Sequence, residues 1–196
     1  MVGFPSPFGG TGDDGLFDGY DEFVPEHVPD PGAFLDGHRV LSGADHVTFH
    51  ELTRELFEER TVYDMTFDYN LARLNLDTRH ENAGYRYAEE RDDPTVLRAE
   101  FTPTTPFCPQ THTLAVGSVR AWNGLSDRHD YDLVRVRVAR THHRSDAINE
   151  RLETLEDELR STGSVPHDPG ADAEPAPAER AGRTEGPGRG GPDAPL

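Results

Sequence analysis

The chain has 196 residues, room for one domain of ordinary size plus appendages, and its hydrophobic content of 34% is low for a chain packed throughout. Its formal charge is −18, with 37 acidic residues against 19 basic ones, all of them Arg. That balance argues against binding a phosphate backbone as the main function. One cysteine excludes an intrachain disulfide scaffold, and no apolar run reaches membrane-spanning length.

A strongly acidic chain stays soluble, but self-repulsion opposes its compaction unless salt screens it. Excess carboxylates, abundant Arg and absent Lys point to the cytosol of a halophilic archaeon. A high-GC actinobacterium, whose genome bias also replaces Lys with Arg, is the alternative. The N-terminus lacks the basic start and apolar run of a signal peptide, so a cytoplasmic location is expected.

Residues 1–44 are rich in Gly, Pro and Asp and carry Phe4, Phe8, Phe17, Tyr20, Phe23 and Phe34. They read as an irregular arm lying partly on its own domain. The folded domain is expected over 45–162. Thr48-Phe-His-Glu51 has the form of a capping box, with Val47 and Leu52 as a staple. Phe49, Leu52 and Leu56 then share one face of a helix running to about Arg60.

Leu71, Leu74 and Leu76 suggest an extended or short helical piece, and Tyr85 to Glu90 a strand. Asp92-Asp-Pro94 marks a turn. Leu97, Ala99 and Phe101 alternate with Arg98 and Glu100, the pattern of a half-buried strand. After a Thr/Pro-rich loop, Leu114, Ser118, Ala121 and Leu125 make a second helical stripe. Val134, Val136 and Val138 alternate with Arg135 and Arg137 as another strand. Ile148, Leu152, Leu155 and Leu159 stand at helical spacing. This order predicts an α/β two-layer sandwich, a small mixed sheet of about three to four strands packed by three helices. Residues 163–196, rich in Gly, Pro, Ala and charge, bury too little apolar surface to offset their ordering entropy and read as a disordered tail.

The candidate chemistry lies in Phe101-Thr-Pro-Thr-Thr-Pro-Phe-Cys-Pro109, between a strand and a helix. Pro109 suits the first helical position, because its missing N–H would be unpaired there and its φ is already helical. Cys108 would then be the N-cap, facing free N–H groups and the positive end of the helix dipole. Both favour the thiolate, the form that attacks electrophiles and ligates metals. Against this, a lone Cys is often a small buried hydrophobe. Pro103 and Pro106 stiffen the loop, while Thr104 and Thr105 bring hydroxyls beside the sulfur.

Phe101 to Pro109 resembles the signature of the PaaD/SufT-like metal–sulfur cluster assembly family, also called the MIP-eighteen family. Eukaryotic members carry a phenylalanine-threonine-proline-threonine run, then proline, one residue and the cysteine. Bacterial and archaeal members carry threonine-threonine-proline-any-cysteine-proline, as at Thr104 to Pro109. Downstream, His142, Ala147, Asn149 and Leu152 keep the spacing of the histidine-led final helix of the eukaryotic type. The likeness covers roughly Val96 to Leu159. The aspartate-proline-glutamate segment usual after the family's first helix is missing, and Asp64 is the nearest match to it.

The resemblance implies a role in maturing iron–sulfur proteins, with Cys108 as the reactive or cluster-contacting residue. Iron–sulfur assembly proteins and client apo-proteins would be its partners. One thiolate cannot hold a cluster that needs about four ligands. A transient iron–sulfur cluster or iron would therefore be carried rather than kept, shared across a homodimer or completed by a client or small thiol. His112, one helical turn after Cys108, and His142, after the last strand, are candidate further ligands of a metal at Cys108. Set against that, the chain has ten histidines, and a given one is more often a surface or capping residue.

Two other classes stay open. Thr105-Pro-Phe-Cys-Pro109 partly matches a peroxiredoxin site, a thiol-dependent redox enzyme. Position 101 is Phe where that motif needs Pro, and no second Cys is present as a resolving thiol. The other class is an acidic protein-interaction module in which Cys108 is inert.

Overall fold

The computed structural model describes residues 25–66, 68–76 and 80–165. The aromatics at positions 4 to 23 and the tail beyond 165 lie outside the described residues. After a 3-10 turn at Pro25–His27 come β1 (Arg39–Val40), α1 (Gly43–Glu59), β2 (Tyr63–Asp64) and β3 (Tyr69–Asn70). A 3-10 segment, Leu71–Leu76, leads to β4 (Gly84–Glu89), β5 (Val96–Thr102), α2 (Thr111–Gly124), β6 (Leu133–Val138) and α3 (Ser145–Thr162).

The main sheet has the order β1-β4-β5-β6, and β2 with β3 forms a separate hairpin. β4 pairs antiparallel with β1 and with β5, whereas β5 and β6 run parallel, with Phe101 opposite Val138. The expected α/β class, with a small mixed sheet and three α-helices, is the one observed.

Strand alternation explains the layers. Tyr85, Tyr87, Leu97, Ala99, Phe101, Val134, Val136 and Val138 project into one core with Phe57, Trp122, Ile148, Leu152 and Leu155 from the helices. Each large apolar side chain so buried contributes roughly 1.5–3 kcal/mol. The opposite face of the sheet is ionic. Arg98 and Arg135 pair with Glu90, Arg135 and Arg137 with Glu156, and Arg137 also with Glu153. The strand arginines are thus balanced within the fold.

From residue 25 onward the N-terminal segment lies on the domain, largely irregular but for a 3-10 turn and β1. Val28, Leu35 and Leu41 are buried, and β1 joins the sheet. Glu100, buried on the ionic face, accepts hydrogen bonds from the N–H groups of Gly32 (2.6 Å) and Phe34 (3.3 Å). A buried carboxylate needs such partners, and a Cβ on residue 32 would collide with it. The Phe34 ring lies 4.7 Å from the Arg98 guanidinium and 5.3 Å from that of Arg137.

The first helix also differs. It begins at Gly43, after Ser42 in extended conformation, so Thr48 is inside it and caps nothing. Its buried stripe is His46, Phe49, His50, Thr53, Leu56 and Phe57. Three polar side chains in that stripe hide its apolar period.

Helix α1 ends in a Schellman motif. The Val62 N–H reaches Phe57 O (2.9 Å) and the Thr61 N–H reaches Glu58 O (3.3 Å). Thr61 occupies the left-handed position at φ 56°, where a β-branched residue is strained. Thr61→Gly should therefore raise the unfolding free energy by about 0.5–1 kcal/mol, read from urea midpoints at unchanged slope. An unchanged or lower midpoint would show that the strain is not there.

Candidate functional site around Cys108

The parallel pairing of β5 and β6 puts their C-terminal ends side by side, so the loops that follow them meet, at the kind of sheet edge where α/β folds place their sites. The loop after β5 carries Cys108, and the loop after β6 carries His142 and His143. The Ala139 N–H begins the contact by donating to Phe101 O (2.8 Å).

Histidines hold the cysteine loop by its backbone. His142 Nε2 lies 3.1 Å from Cys108 O, and the Arg144 N–H points to His142 Nδ1 at 3.3 Å. Those partners require a neutral ring with the proton on Nε2. Burial lowers the His142 pKa from its ordinary value, with the neighbouring His143 and Arg144 acting the same way against the Cys108 carbonyl. The His143 N–H (3.0 Å) and Nδ1 (2.7 Å) both reach Pro106 O. The Phe107 and His143 rings are 5.1 Å apart. These bonds fix the path of the chain, and that path sets the half-buried free thiol of Cys108.

Cys108 is not the N-cap. The Cys108 N–H donates to Thr105 O, and the Thr111 N–H and hydroxyl donate to Cys108 O at 3.3 and 3.0 Å. Two successive turns therefore precede the helix, whose N-cap is Gln110. The first regular helical bond runs from Leu114 N to Gln110 O (2.9 Å). The Pro109 signal marks the approach to the helix rather than its first residue.

The tip of the β2–β3 hairpin completes the site. Gln110 Oε1 accepts from the Met65 N–H (3.0 Å), and Gln110 Nε2 donates to the Thr66 hydroxyl (2.6 Å). Asp64 is buried at the start of this tip, where its carboxylate accepts the Thr66 N–H at 2.7 Å. Asp64 thus shapes the hairpin that meets the cysteine loop.

Of the residues expected from sequence, Cys108 and His142 come into direct contact. Asp64 reaches the site through its hairpin, and Thr105 contributes a carbonyl. Thr104 is half-buried, while His112 is exposed on the first turn of α2 and does not help hold the loop. Among the described residues no three His, Cys, Asp or Glu side chains are grouped to hold a metal.

Gln110, Met65 and Phe107 were not singled out from sequence. Met65 and Phe107 are 77% and 71% exposed, the large hydrophobics that stand in solvent among the described residues.

A family model described as Domain of unknown function (DUF7998) matches residues 15–166. The chain belongs to that family. No curated protein and no solved structure matches this DUF7998 chain. Among its described residues, no helix is long and apolar enough to cross a membrane.

Proposed function

We propose that this DUF7998 protein is an iron–sulfur cluster assembly factor without an enzymatic turnover of its own. It would act as an adaptor or transient carrier, with iron or a cluster as cargo at Cys108 and apo-proteins as clients, in a salt-rich cytoplasm. One observation supports the reading most. The only cysteine stands where the loops after two parallel strands meet, with its carbonyl held by the neutral ring of His142. The resemblance of Thr104 to Pro109 to the cluster-assembly signature supplies the chemistry.

The test is an affinity pull-down from native cells at high salt, wild type against Cys108→Ser, with iron and sulfide measured on the eluate. Iron–sulfur enzyme activities are measured in the same cells. The expected result is recovery of cluster-assembly proteins with wild type, and loss of about tenfold or more of the bound iron and sulfide in the variant, more than 1.4 kcal/mol of binding. Equal enzyme activities and equal metal in both would overturn the reading.

A second reading, an interaction module with an inert thiol, is favoured by the exposure of Met65 and Phe107. It predicts that Phe107→Ser removes function while Cys108→Ser leaves it whole.

A further inference from the structure

We propose that the face carrying Met65, Phe107 and Cys108 docks onto the same face of a second copy of this chain, bringing two Cys108 thiols together across a twofold axis. Its use for holding cargo rests on the function proposed above, but the interface itself does not.

The two exposed side chains stand on segments that are tied together. Met65 is at the tip of the β2–β3 hairpin, Phe107 is in the cysteine loop, and Gln110 ties the tip to the residues after Cys108. A face that presents one thioether and one aromatic ring is complementary to itself. In an isologous contact, Phe107 of each copy meets Met65 of the other, and sulfur–aromatic contact is favourable.

Charge separates a second copy from contact elsewhere. The chain carries −18, so two copies repel over most of their surface. From Phe101 to Val119 there is no Asp, Glu or Arg, the longest such run in the sequence. The abutting loop at 139–144 contributes Arg140 and Arg144 and no carboxylate. From the hairpin, Asp64 is buried and Asp68 is the exposed acid. The acidic surface is therefore relieved where the apolar side chains stand.

The chemistry of the site points the same way. A cluster needs about four ligands and each chain has one thiol. Two copies facing through this surface supply two thiolates from opposite sides, leaving the remaining positions for small thiols or a client. A client that binds the same face would compete with the second copy.

The experiment is sedimentation velocity on the full, metal-free chain over a concentration series at high salt, with Met65→Glu and Phe107→Glu beside wild type. Circular dichroism confirms that both variants fold, as expected for exposed sites. Wild type should form a reversible dimer, and each substitution should weaken it about tenfold or more. A short bis-maleimide should join Cys108 to Cys108 in wild type, while Cys108→Ser dimerises without being cross-linked. A wild type that is monomeric at every concentration overturns the proposal. So does a dimer that both glutamate variants leave unchanged, which would place the contact on another face. A monomer that binds an iron–sulfur apo-protein and loses it in Phe107→Glu also overturns it, assigning the face to a client. If the dimer behaves as expected but Cys108→Ser cells mature iron–sulfur enzymes normally, the interface stands and the assembly function falls.

Discussion

Asn75→Ala is expected to lower the unfolding free energy by about 3 kcal/mol, although it removes few atoms and touches no site residue. Asn75 is fully buried in the 3-10 segment, where Nδ2 donates to Tyr85 O (3.2 Å) and Oδ1 accepts from the Tyr85 N–H (2.8 Å). The side chain stands in for a missing strand. β1 extends along β4 only opposite Ala88 and Glu89, with one more bond from the Leu41 N–H to Tyr87 O. Without Asn75, the outward N–H and C=O of Tyr85 would both be buried and unpaired, at about 1–3 kcal/mol each. Gly84 is part of the device, since it sits at φ 112° and a Cβ there would overlap the Asn75 amide. Gly84→Ala should therefore also destabilise, and combined with Asn75→Ala by less than the sum, because one clash disappears. The measurement is urea unfolding followed by fluorescence of Trp122, the only tryptophan, which is buried against Phe57 and Tyr85. A loss below about 1 kcal/mol in Asn75→Ala would mean that another group replaces the amide.

The same device closes the far edge of the sheet. Asn123 in α2 holds Val134 by N–H and C=O, both at 2.9 Å. Asn149 in α3 holds Val138 likewise, at 2.7 and 2.9 Å. Arg137 turns back to Val136 O at 2.8 Å. An edge strand so occupied cannot pair with another chain. Asn149 belonged to the sequence resemblance, and the fold gives it a physical task that any domain with this layout would need. Its position supports the architecture and says nothing about cargo.

What was legible in the sequence followed from period. Leu97, Ala99 and Phe101, and Val134, Val136 and Val138, alternate in sequence and point into the core in space. Ile148, Leu152 and Leu155 keep helical spacing and form the packed face of α3. The rest depended on partners far along the chain. Glu100 reads as the wet side of a strand until the strap at 32–34 covers it. The α1 stripe is obscured because His46, His50 and Thr53 are buried in it, where His50 and Thr53 satisfy their polar atoms inside the core. At the site, His142 was expected as a metal ligand beside Cys108, and what the fold shows is its ring against the Cys108 carbonyl, because β5 and β6 run parallel and their following loops meet. The cap at Cys108 was not realised, because the turn ending at Thr111 precedes the helix. Gln110 and Met65 carried no signal, since their importance arises only from the hairpin docking on the loop.

Lowering the pH from about 7.5 to about 5 should remove about 2 kcal/mol of stability through His50 alone. His50 is buried, with Nδ1 2.9 Å from the Tyr87 hydroxyl and Nε2 2.8 Å from Ala72 O. The neutral ring satisfies both, donating from Nε2 and accepting at Nδ1. Burial pushes its pKa down to about 4, only partly opposed by the Ala72 carbonyl. His46, stacked on it at 5.7 Å, is pushed down to about 3 by burial, then by His50 and Arg86. An unfolded chain protonates these rings near pH 6.5, so between about 4 and 6.5 it binds more protons than the fold does. Their contribution is complete above the unfolded value and is lost as the pH falls through it. His142, also lowered, adds the same sign. Glu100 opposes it, because burial raises its carboxyl pKa and protonation then favours the fold. Ordinary carboxylates stay ionised down to about pH 5, so the window from 7.5 to 5 belongs mainly to histidine. Urea midpoints across that window should fall steadily, while the proton on C2 of His50 shows no titration in NMR until about pH 4. Stability that stays level to pH 5, or a His50 that titrates near 6.5 in the folded chain, would show that the core admits the charged ring.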